Sequence, residues 1–156
     1  MKRLVTAFAI VAGLASVAAA QAPPTTNMEI LRQKVKADKK LVVAQNLQLT
    51  DAEGATFWPV YEAYQKDLQQ INQRLGSVIL AYADAYHKGP IPGDVAKKLL
   101  DDALAVDEAE VKLKSSYMPR ILGALPIAKA ARYIQIENKI RAAVRYELAD
   151  GIPLVP

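Results

Sequence analysis

The side chains that could do chemistry in this chain are few, and their spacing favours packing over catalysis. Carboxylates crowd residues 94 to 110, where Asp101, Asp102, Asp107, Glu108 and Glu110 stand against Lys97 and Lys98. Paired acids serve as general acid and base when their surroundings push their pKa values apart. Residues 129 to 147 carry the opposite balance, with Lys129, Arg132, Lys139, Arg141 and Arg145 against Glu137 and Glu147. Two oppositely charged helices laid together account for both compositions without any turnover. Glu110 stands apart, because it shares a face with apolar residues and would be costly to bury unless a cation pairs with it. Arg132 is the candidate partner. An enzyme using this acidic stretch would lose turnover when Glu108 and Glu110 are substituted.

Other catalytic chemistry finds less support. The chain has no cysteine, and Ser77, Ser115 and Ser116 lack the context of an activated nucleophile. The seven glycines are scattered singly, so no phosphate-cradling loop is present. His87 is the only histidine and sits beside Lys88 at a helix end, the place of an exposed capping residue. With Asp84 it supplies two ligands, too few for a metal site, and Met28 and Met118 add no cluster. The expectation is no catalytic residue, no metal and no cofactor.

Two stretches carry binding chemistry instead. Arg32, Lys34, Lys36, Lys39 and Lys40 fall within nine residues and form a basic helix face. It could attract an acidic client or, weakly, an anionic membrane surface; the plainer alternative is a solvated face. Phe57, Trp58, Tyr61 and Tyr64 occupy two helical turns. Phe57, Tyr61 and Tyr64 share one face and Trp58 lies about 100° away. They read either as core plus one helix contact or as a client- or partner-binding surface, since aromatics with polar tips supply adaptable contact area.

The elements that must position these residues are helical. Lys2 and Arg3, an apolar run from Leu4 to Val17 and Ala18-Ala19-Ala20 form an export leader cleaved after about Ala20. Residues 21–26 read as a flexible tail and 27–156 as a single helical domain located in the periplasm. Without Lys2 and Arg3 the mature chain holds 18 basic against 16 acidic residues, too mild an excess to support nucleic-acid binding. An oxidising compartment and no cysteine leave apolar packing alone to hold the fold.

Four helices are expected. The first spans about Asn27 to Asn46. The second runs from a capping box at Thr50 and Glu53 to about His87. Its apolar positions, Phe57, Tyr61, Tyr64, Leu68, Ile71, Leu75, Val78, Tyr82 and Ala85, alternate spacings of four and three, the period of a coiled-coil seam. Pro59 predicts a kink or distorted turns near its start. The third helix starts near Asp94 after a Gly/Pro turn, with Pro119 threatening a kink or an end. The fourth follows Leu125-Pro126 and runs to about Ala149, ended by Gly151 and Pro153. Short breaks imply an all-α chain of extended antiparallel hairpins. A hairpin one layer thick cannot bury both faces of its helices, so spare apolar surface would meet a second subunit or a client.

Leu49-Thr50 with Glu53, the run FWPVYEAY, LP-x-x-KAARYIQIENKI and the YELADGIPLV end together resemble the LTxxQ-type exported helical proteins of the Spy/CpxP family. The likeness covers most of the mature chain in order, with Glu53 where the family motif has Gln and no second copy of the motif. The resemblance implies long helices in hairpins, a homodimer with a curved body, and an ATP-independent chaperone or envelope-stress role toward unfolded or hydrophobic clients. Metal-sensing relatives use His, Cys or Met ligands that this chain lacks. The alternative is a structural or regulatory module that docks on one envelope partner.

Overall fold

The structure is a computed structural model that describes residues 38–155, and no strand occurs among them. Helix α1 covers residues 38–47, α2 Asp51–His87, α3 Gly93–Ala124 and α4 Ile127–Gly151. The expected leader, the tail and Arg32, Lys34 and Lys36 lie outside the described residues.

The start of α2 follows from its sequence. The Thr50 amide donates to Glu53 Oε2 at 2.8 Å and the Glu53 amide donates to Thr50 Oγ1 at 3.3 Å, completing the capping box. Lys129 Nζ then donates to Glu53 Oε2 at 2.5 Å and to the Gln48 carbonyl at 3.0 Å. The cap therefore also docks the first turn of α4. Gln48, between α1 and α2, holds a φ of +49°. A side chain there costs about 1 kcal/mol relative to glycine, and the conformation reverses the chain at the end of α1.

Both internal prolines are accommodated within continuous helix. Pro59 leaves the Ala55 carbonyl without its ladder donor, and Pro119 does the same to Ser115. All four residues are exposed, so water can satisfy the freed carbonyls. Of the kink or end expected at Pro119, the end is not found. The helix continues to Ala124, whose carbonyl lies 3.0 Å from Thr56 Oγ1.

The helices meet in a fixed order. Thr56 reaches Ala124, Tyr64 meets Tyr117 and Asp67 accepts from Tyr117, so partner numbers on α3 fall as those on α2 rise. Helix α4 joins the pair through long side chains: Arg141 Nη1 donates to Asn72 Oδ1 at 2.7 Å and Gln65 Nε2 to Glu137 Oε1 at 2.9 Å. Val43 and Leu47 of α1, Phe57 to Leu68 of α2, Tyr117 and Ile121 of α3 and Ala130 and Tyr133 of α4 close one buried cluster.

That core occupies one end only. The seam positions Phe57, Tyr61, Tyr64, Leu68 and Ile71 are buried, whereas Leu75, Val78, Tyr82 and Ala85 are half-buried. On α3, no residue before Val106 is buried. One uninterrupted apolar stripe thus passes from a four-helix core to an end where, among the described residues, α1 is absent and only the last turns of α4 lie beside α2.

Candidate functional site

The aromatic stretch of α2 builds the core. Phe57 is fully buried, and its ring lies 5.0 Å from that of Tyr133, edge to face. Tyr64 packs against Tyr117 at 5.4 Å and Tyr133 at 6.4 Å, again edge to face, the geometry favoured by ring quadrupoles. Burial first, then the nearby Glu137 carboxylate, pushes the Tyr61, Tyr64 and Tyr133 phenols well above their ordinary range. Phe57, Tyr61 and Tyr64 are therefore buried inside the chain, the core reading of the two that the sequence left open. The same seam spacing that suggested a partner face turned them toward α4. Trp58 alone of the four is half-exposed, with its indole over Gly54 and Lys40 Nζ 5.1 Å from the ring centroid.

The basic face also changes meaning. Lys39 Nζ is paired with Glu137 Oε2 at 2.8 Å and donates to Gln65 Oε1 at 2.8 Å, pinning α1 to α2 and α4. Lys40 pairs with Glu62 at 2.6 Å. Both described cations of this face are neutralised within the chain, because α1 lies against acidic positions of its neighbours. Glu137 went unrecognised in the sequence as a core position. Its signal was the spacing of Ala130, Tyr133, Glu137 and Ile140, all on the buried face of α4.

The acidic third helix and the basic fourth do pair. Glu110 is buried and accepts from Arg141 Nη2 at 2.5 Å and Arg145 Nη2 at 3.2 Å, while Arg145 also reaches Asp107 at 2.6 Å. The partner is thus not Arg132, which is exposed and lies nine residues, about 13 Å of helix rise, before Arg141. Burial raises the Glu110 pKa, but hydrogen bonds and charge from Arg141 and Arg145 outweigh it and hold the carboxyl below its usual range. The more distal acids Asp101 and Asp102 pair with Lys97 and Lys98 one turn away. Among the described residues no group of three or more acids or histidines converges as a metal site. His87 is exposed at the end of α2, as its neighbours predict.

What remains open is the distal end. Leu75, Val78, Ile79 and Tyr82 of α2 face Ala96, Leu99 and Ala103 of α3 across a groove of about 330 Å³. Its far wall is the chain's own end, Ile152 and Val155, and Tyr82 Oη donates to the Pro153 carbonyl at 2.8 Å. The lining is almost wholly apolar and carries no charged residue. Large apolar side chains stand exposed nearby, Leu80 at 69% and Leu100 at 60%. Such a groove can hold an apolar segment by burial and one backbone carbonyl by the Tyr82 hydroxyl. No helix among the described residues is long and apolar enough to cross a membrane. Comparison with protein-family models, curated proteins and solved structures finds no match to this chain.

Proposed function

We propose that this chain is an exported helical protein that binds unfolded or hydrophobic clients as an ATP-independent chaperone of the Spy/CpxP type in envelope stress, with no enzymatic role. The observation that carries the reading is the distal groove, an apolar site on a helix pair that lacks the covering core of the other end. Non-directional apolar burial tolerates many client sequences, as holding unfolded chains requires. The leader pattern of residues 1–20 and the resemblance support a periplasmic setting for that work. The outer stripe of α3, Leu104, Val111 and Leu122, supports a homodimer by giving a second copy an apolar face.

The test is suppression of aggregation of a denaturing client by mature protein at near-stoichiometric ratio, without ATP. Val78→Asp and Leu99→Asp, each checked for retained helicity by circular dichroism, are expected to abolish the suppression. Absence of suppression by the natural chain across several clients overturns the reading.

The small volume of the groove favours one competitor, a regulatory module that docks on a single envelope partner. That reading predicts saturable capture of one protein from a periplasmic extract and no general effect on aggregation.

A further inference from the structure

The segment after α4 is built to lie extended. Ile152 has φ −98° and ψ +116°, and it precedes Pro153; Val155 precedes Pro156 in the sequence. A residue before proline is pushed out of the helical region into extended backbone, so both positions are held ready for a straight path. In polyproline II geometry three residues make a turn, which puts Ile152 and Val155 on the same side. These are the two tail residues that wall the distal groove, while Leu154 between them points away at 89% exposure. The Tyr82 hydroxyl fixes the tail by its backbone, through the Pro153 carbonyl, and so makes no demand on side-chain identity.

We propose that the distal groove is a site for extended, proline-bearing apolar peptide segments with large side chains at positions i and i+3, and that residues 152–155, which lie along one side of it, act as a built-in competitor. The inference rests on the distal groove being the client site, and it names both the ligand class and its regulation. A tethered occupant works at an effective concentration of about millimolar, so a free segment of similar affinity must displace it. Weakly apolar segments are excluded and strongly apolar ones enter. Two other candidates carry less. The cleft beside Arg141 has its cations already paired with Glu110 and Glu137. The concavity beside Trp58 is shallow and offers no charge beyond Asp51.

The test uses the full mature chain, a second full chain carrying Ile152→Ser and Val155→Ser, and a fluorescein-labelled free peptide with the sequence of residues 150–156. Fluorescence anisotropy is expected to show saturable binding to the doubly substituted chain, at least tenfold tighter than to the natural chain. Adding Leu99→Asp to the doubly substituted chain is expected to abolish it. Equal affinity for both chains, or no binding to the doubly substituted chain while circular dichroism shows it folded, overturns the proposal. Aggregation assays on the same chains separate the two claims. Equal suppression by both chains overturns the competitor role and leaves client binding standing. Tight peptide binding without suppression by either chain supports the peptide groove and removes the chaperone reading.

Discussion

The two ends of α2 share one heptad register but have different fates. From Phe57 to Ile71 the seam is roofed by α1, α3 and α4, and every seam side chain is buried. From Leu75 to Ala85 the same register meets α3, the last turns of α4 at Val144 and Leu148 and the segment after α4, and every seam side chain stays half-open. Among the described residues the difference lies in α1, which covers the proximal half alone, since both halves are apolar. It teaches that a heptad pattern specifies which face is apolar and says nothing of how many partners that face will find. The buried core belongs to the proximal end, and spare apolar surface to the distal one.

The largest effect expected from breaking this division is at the proximal ion pair. Glu110→Gln leaves Arg141 deep in the chain without its carboxylate and is expected to cost about 3 kcal/mol, read from urea denaturation. The pH dependence has a fixed sign. Because the folded-state Glu110 pKa lies below its ordinary 4.5, its stabilisation is complete above that pH and is lost as pH falls through the folded value. The melting temperature of the natural chain should therefore drop more steeply below about pH 4 than that of Glu110→Gln. Parallel curves for the two chains would refute the pairing.

A matched pair one heptad apart sharpens the comparison. Leu68→Ala removes a buried side chain and is expected to cost about 2–5 kcal/mol, whereas Leu75→Ala, half-exposed at the groove, should cost about 1 kcal/mol. Equal losses in urea midpoints would mean that the distal end is as well packed as the proximal one. Smaller still is the cap. Thr50→Ala is expected to lower stability by about 1 kcal/mol and to leave any client binding unchanged, because the box starts a helix and touches no groove residue.

Much of the fold was legible because its signals are local. The capping box at Thr50 and Glu53, the proline and glycine breaks and the seam spacing give α2 its observed bounds, and α4 lies within two residues of expectation at each end. What was not legible depended on which helix lies against which. Arg141 and Arg132 are equally basic in sequence, and only the stagger of α3 against α4 selects Arg141. The aromatic run could face a partner or α4 with the same periodicity, and Tyr133 decides for α4. The tail looked like a helix stop, yet its two prolines also hold the chain extended across the groove. At Pro119 the alternatives were a kink or an end, and sequence does not reveal that the freed Ser115 carbonyl faces water and lets α3 run on.

The most direct test of the division between the ends is hydrogen–deuterium exchange of the chain of residues 21–156 with and without a denatured client. New protection is expected over residues 75–103 and loss of protection at residues 152–155, with no change over residues 57–71. Protection confined to residues 57–71, or none anywhere while the client is demonstrably bound, would contradict the account.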